Sequence, residues 1–273
     1  MDEQFSSLSK LAFEVGPVVA TFSLLALLTK RTAIFDALRR CRQEATTNIL
    51  LIVFNALVIG PIFVVPAVML SEAVGKYGLL PGLWLRLPDG LTVLLAVVLI
   101  DFVAYWRHRA EHLEGIWRFH ATHHADTAIH FLSVQRKHPV AKIIGLLFDT
   151  LLVFALGFPV WAIVAAIILR TWWGYFIHAD VNWTLGSLGE VLMSPAAHRL
   201  HHIRDEKLMG TNYGNTITLW DKLFGTYLNP KPYLGCETGI EEGTRGFLGE
   251  LARPWEKRYR DTGSEVAEVE AQA

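Results

Sequence analysis

Cysteine is almost missing from this 273-residue chain, where Cys41 and Cys236 stand alone and far apart. They can build neither a disulfide framework nor a thiolate metal site. Charge of one sign is missing too: the formal net charge is −1. That leaves no electrostatic argument for nucleic acid as a partner. The first ten residues, MDEQFSSLSK, are acidic and polar where a secretory signal is basic. No cleaved leader is expected, so the apolar segments must target the chain themselves. There is no flavin or nicotinamide fingerprint, no cysteine cluster for iron–sulfur and no fused haem domain.

Apolar residues and histidine are what the chain has in quantity. It is 52% hydrophobic with nine tryptophans, beyond what a soluble core requires. Val15 to Thr29 reads as a first spanning helix that ends at Lys30-Arg31. Lys30 to Thr47 carries five basic residues and reads as a cytoplasmic connector, which leaves the N-terminus outside. Asn48 to Leu70 is a second span with a kink expected near Pro61, and Ser71 to Gly90 is a short outer loop. Leu91 to Trp106 returns inward. Ile143 to Ile177 would be about 52 Å long as one helix, too much for one crossing. It is expected to turn back as a hairpin at Gly157-Phe158-Pro159. The reading is therefore an all-α integral membrane bundle of about four hydrophobic regions, the last a hairpin, with a histidine-rich cytosolic cap. One domain is expected over 1–260, with its catalytic region at 101–227 and a disordered tail at 261–273.

The histidines fall where that topology gathers them on one side. His108 and His112 are spaced i, i+4 at the end of the third helix, which nothing breaks before Gly115. That spacing lets two imidazoles reach one ion. His120, His123 and His124 follow; on a helix His120 shares a face with either neighbour while those two diverge by about 100°, so one turn can serve two metals. His198, His201 and His202 repeat the pattern behind Ser194-Pro195, a helix-start signal. His178 ends the returning hairpin arm, which delivers it to the same side. All nine are read as metal ligands. His138 is left as a supporting or tenth ligand, and His130 as a surface residue. Asp101, Glu111, Asp126, Asp180, Asp205 and Asp221 are candidates to orient imidazoles from behind.

HRAEH at 108–112, HATHH at 120–124, HAD at 178–180 and HRLHH at 198–202 resemble the histidine boxes of the fatty acid hydroxylase and sterol desaturase superfamily. The resemblance runs from Asp101 through RKHP at 136–139 and NYG at 212–214 to WDKLFGTY at 220–227, roughly the central half of the chain. It implies a non-haem centre of two Fe ions that uses O2 to hydroxylate or desaturate a C–H bond of a membrane lipid. Ala141 stands where related proteins often carry Glu, so no carboxylate is expected at that point. Such chemistry needs two further electrons, and hence a separate donor, cytochrome b5-like or a ferredoxin with its reductase. Localisation to a bacterial inner membrane, histidines inward, is expected. The alternatives from other classes are a membrane zinc hydrolase and a bis-histidine haem electron-transfer protein. The first lacks an HExxH-type base, and the second needs paired rather than clustered histidines.

Overall fold

The structure is a computed structural model that describes the backbone of residues 2–259, and side chains from Gly16 onward except at five positions between 64 and 75. The tail expected at 261–273 lies outside the described residues. Helix α1 (Asp2–Lys30) and α2 (Ile34–Phe54) are separated by Arg31, which adopts the left-handed region at φ 50°. The basic connector is therefore helical from Ile34 and continues directly into the second apolar segment. A single turn of π-helix, Asn55–Ile59, joins α2 to α3 (Gly60–Tyr77). Pro61 lacks an amide hydrogen, and the wider turn just before it accommodates the expected bend.

After the one-turn helix α4 (Pro81–Trp84), α5 (Asp89–Glu111) runs back to the histidine end and stops four residues before Gly115. It packs lengthwise on α9 (Val160–Ile177). Ala96, Ala104, Ala162 and Ala166 are buried along this seam, and small side chains let the two backbones approach. The rest of that core is Trp84, Val97, Ile100, Val153, Phe158 and Ile163.

The reversal falls where the sequence placed it. Gly157 has φ 74°, and a Cβ there would stand 3.2 Å from Gly78 Cα. Backbone amides of Leu79 and Leu80 donate to Ala155 and Leu156 carbonyls at 3.0 and 3.2 Å, and Trp84 Nε1 donates to Leu156 at 2.8 Å. Protein thus shields the turn's polar groups, as a turn at membrane depth requires. The arm before the turn differs from expectation. It is two short helices, α7 (Pro139–Phe148) and α8 (Leu151–Ala155), parted at Asp149, whose carboxylate takes Arg107 Nε at 2.6 Å. Among the described residues, three helical stretches are long and apolar enough to cross a membrane: Gly16–Leu70, Asp89–Glu111 and Val160–Ile177. The first of these contains the break at Arg31.

The remaining helices, α6 (Glu114–His124), α10 (Pro195–His201), α11 (Glu206–Met209), α12 (Leu219–Leu223) and α13 (Phe247–Ala252), build the cap. Among the described residues, strand pairing is limited to two isolated bridges. The stretch from Gly239 through Tyr259 folds against the cap, with Glu250 and Arg253 fully buried. Arg136, also fully buried, explains why. Its guanidinium donates to Thr122 O (2.8 Å), Glu44 (2.9 Å), Asn48 (3.1 Å), Thr244 (2.7 Å) and Glu250 (2.6 Å). One side chain ties α2, α6 and the C-terminal segment together.

Candidate metal centre

Four helices converge at the cap. His108 lies in the last turn of α5 and His112 caps it; α6 carries His120, His123 and His124. His178 caps α9, and α10 carries His198 and His201 with His202 at its cap. Ser194 starts α10 as expected, its hydroxyl accepting from Ala197 N at 3.2 Å with Pro195 at the first helical position. These nine form two groups, His108, His112, His120, His124 and His201 in one and His123, His178, His198 and His202 in the other. Within each group one nitrogen per ring lies within 4.8 Å of all the others. The helical divergence of His123 and His124 is what splits α6 between the two groups. They touch through the His124 and His202 rings, stacked with centroids 4.4 Å apart.

The hydrogen bonds behind the rings set their tautomers. His108 Nδ1 donates to Tyr213 O, His178 Nδ1 to Gly174 O and His201 Nδ1 to Thr211 O, each at 2.7 Å. His120 Nδ1 faces Glu111 Oε2 at 3.2 Å. With both Nδ1 atoms spent as donors, His108 Nε2 and His120 Nε2 each present a lone pair, and they are 3.1 Å apart. Two lone pairs at that distance repel unless a cation lies between them. Cis ligands about 2.1 Å from one ion sit about 3 Å apart, which this pair matches. His178 Nε2 and His198 Nε2 stand 3.0 Å apart in the other group. Buried ring nitrogens of His112, His123, His124, His198, His201 and His202 have no hydrogen-bond partner at all. Polar atoms left so in a packed interior, gathered in two groups of imidazoles, fit the ligand set of a metal ion.

Burial, and then the neighbouring rings, push His112, His120, His123, His124, His198 and His202 well below their ordinary pKa, and burial, partly offset by the hydrogen bonds to Gly174 O and Thr211 O, lowers His178 to about 3 and His201 to about 4. The rings are therefore neutral and their lone pairs free at physiological pH. The same shifts carry a stability cost in acid. In the unfolded chain these imidazoles bind protons below about pH 6.5, whereas the folded chain holds them neutral, so each opposes folding by about 1.4 kcal/mol per pH unit below that value. The metal-free protein should lose melting temperature steeply between pH 6.5 and 4. A flat profile across that window would contradict the burial of the rings.

Of the six acids expected behind the ligands, only Glu111 pairs with a ring of either group, and it also pairs with Arg107 at 2.6 Å. Asp101 instead accepts from Arg170, Thr216 N and Ile217 N, and Asp180 pairs with Lys30 and Arg199. Asp126 holds Asn48 and Ser133, and Asp205 caps α11. Backbone carbonyls take the orienting role, which sequence reading missed. The signal was in NYG. Asn212 sits in the left-handed region at φ 53°, where asparagine is tolerated, with its amide fastened to Ala197 O and Leu228 O. Asp221 accepts from Tyr213 N at 2.7 Å and Gly214 N at 2.9 Å, and a Cβ on Gly214 would collide with Ile217 O at 2.5 Å. This turn aims the Tyr213 carbonyl at His108. The missing Cβ of Gly174 makes room for Val134 and Asn215.

His138 and His130 belong to neither group. His138 caps α7, with Nδ1 accepting from Val140 N and Nε2 on Leu251 O, so both ring nitrogens are spoken for. His130, expected at the surface, is half-buried, its Nδ1 against Ser133 and Ala128 O.

A family model described as fatty acid hydroxylase matches residues 93–226. Among curated relatives, ornithine lipid hydroxylase OlsE of Rhizobium tropici is 30% identical over 176 residues, 63% of this chain and 53% of that one. Alkylglycerol monooxygenase of Xenopus tropicalis is 31% identical over 133 residues, 48% of this chain and 29% of that one. Delta(7)-sterol 5(6)-desaturase ERG3A of Gibberella zeae is 28% identical over 225 residues, 80% and 60% of the two chains. The chain thus spans about half, or less, of the first relatives it matches. No solved structure matches it.

Proposed function

Because the chain belongs to the fatty acid hydroxylase and sterol desaturase superfamily, we propose that it is a membrane-bound, O2-dependent oxidoreductase that hydroxylates or desaturates a C–H bond of a lipid. The observation that carries this reading is the pair of histidine groups, five and four neutral rings, with lone pairs facing at 3.1 Å. We assign two irons to them, held by His108, His112, His120, His124 and His201 on one side and His123, His178, His198 and His202 on the other. Bound there, iron supplies activation of O2 and oxidation of an unactivated C–H bond. The protein's part is to hold the rings neutral, fix their tautomers from Tyr213, Gly174, Thr211 and Glu111, and bury the site away from water.

The metal charge meets no carboxylate within either group, since every member is an imidazole. That composition disfavours the zinc-hydrolase alternative, whose general base would have to be Glu111, already committed to Arg107 and His120. Ring centroids 4.2 to 5.6 Å apart across the site leave no slot for a porphyrin plane, which disfavours the haem alternative. Two electrons per turnover come from a separate cytochrome b5-like or ferredoxin donor. Iron analysis of the purified protein, with lipid analysis of cells that make or lack it, tests the assignment. About two irons per chain, no Soret band and an oxygenated or desaturated lipid are expected; zinc that supports full turnover would sink it.

We place the histidine end in the cytoplasm of a bacterial inner membrane. The basic residues at 30–42 lie at that end, where Lys30 pairs with Asp180 at 2.6 Å, and they follow the positive-inside bias. In a background without Cys41 and Cys236, a cysteine at Arg39 should react only from the cytoplasm and one at Lys76 only from outside. The reverse pattern overturns the orientation.

A further inference from the structure

A cavity of about 340 Å³ lies between the start of the bundle and the segments that follow His123 and His178. One part of its wall is apolar, from Phe22, Leu25, Ala37, Ile129, Phe131 and Val181. Another part is cationic, from Lys30, Arg40 and Arg199, with Asp180 the sole carboxylate in the lining. Lys30 Nζ and Arg199 Nη1 share that carboxylate at 2.6 and 3.0 Å, and Arg40 has no ion pair among the described residues. Three cations against one anion leave the cavity positive.

Neither half of this lining suits a simple ligand. A wholly apolar molecule would leave the excess positive charge of the lining unbalanced, since Asp180 is shared by Lys30 and Arg199 and Arg40 has no anion, and a small soluble anion would leave the apolar wall wet. One amphiphile satisfies both. Lys30 ends α1, whereas Phe22 lies two turns earlier in the same helix, toward the middle of the apolar stretch. The polar part is thus at the height of lipid headgroups and the apolar part at the height of their chains. The cationic wall also shares its backbone with the candidate metal centre: Asp180 is two residues after His178, and Arg199 follows His198.

We propose that this cavity seats a membrane lipid with an anionic, phosphate-type headgroup, held by Lys30, Arg40 and Arg199, with an acyl chain along Phe22, Leu25 and Phe131. The proposal rests on the lipid-oxidation reading for the fate of the ligand, and it specifies the headgroup class. Binding is separable from turnover, so it can be measured on the whole 273-residue chain whatever its iron content.

The experiment uses protein in zwitterionic nanodiscs and two fluorescent probes with the same chains, phosphatidylglycerol and diacylglycerol. Phosphatidylglycerol should bind at least about tenfold tighter, given two uncompensated cations near the membrane surface. Arg40→Glu, an exposed change, should remove most of that preference and leave diacylglycerol binding unaltered. Ala37→Trp should fill the cavity and weaken both probes at an unchanged melting temperature, whereas mere attraction to a basic surface would survive it. Equal affinity for the two probes, insensitivity to Arg40→Glu, or displacement by glycerol phosphate at lipid-like concentrations would each overturn the proposal. Iron content and oxidised lipid in the same preparations report on the enzymatic reading independently.

Discussion

His178→Ala is expected to lower iron from about two per chain toward one and to cut turnover by more than the roughly hundredfold that loss of an outer-shell partner costs. His178 lies outside the clusters at 108–112, 120–124 and 198–202, so no neighbouring histidine shares its segment. Its group has four members, and removing one leaves three imidazoles for an ion that has no carboxylate to compensate. Its Nδ1 is already committed to Gly174 O and its Nε2 stands 3.0 Å from His198 Nε2, so the ring has one free lone pair and one direction in which to use it. His138→Ala is the matched control. That ring caps α7 through Val140 N, and its loss should cost about 1 kcal/mol of stability without loss of iron. Metal analysis and product formation on both variants decide the matter: normal iron and turnover in His178→Ala would return it to the status of an interfacial histidine.

Arg136→Met should be the most damaging change outside the histidines. The native guanidinium has all its hydrogen bonds inside the protein and no exposed surface. Removing it leaves Glu44 and Glu250 buried with fewer donors, though Thr127 and Thr244 still reach Glu44 and Arg253 still reaches Glu250. Breaking one side of a buried pair costs about 3–5 kcal/mol, a large fraction of a typical total of about 5–15 kcal/mol. Arg136 Nε also holds the Thr122 carbonyl, between His120 and His123, so iron content should fall along with stability. Arg136→Lys should not rescue, because an ammonium offers three donors where the planar fork offers five. Melting temperature and the amount of protein recovered from membranes are the readouts. Wild-type values for Arg136→Lys would show that charge alone, rather than the fork, supports the cap.

The all-helical membrane class, the turn at Gly157 and the gathering of histidines at one end were legible in the residue order. Each depends on a local regularity: run length against bilayer thickness, a Gly-Phe-Pro break, and helical spacing that sends His123 and His124 to different faces. Which rings share a group was not legible, because His108 meets His201 and His123 meets His178 through contacts between elements far apart in the chain. The same holds for the orienting groups. Sequence singles out carboxylates, since only side chains differ between residues, yet the acceptors behind His108, His178 and His201 are backbone carbonyls that every residue carries. For His108 and His201 the selection required the turn that Asn212, Gly214 and Asp221 build, and for His178 it is the carbonyl one turn back in its own helix. Burial decided the rest: Arg136 and Glu250 look like solvated charges in the sequence, and their meaning came from pairing across 114 positions in a place without water.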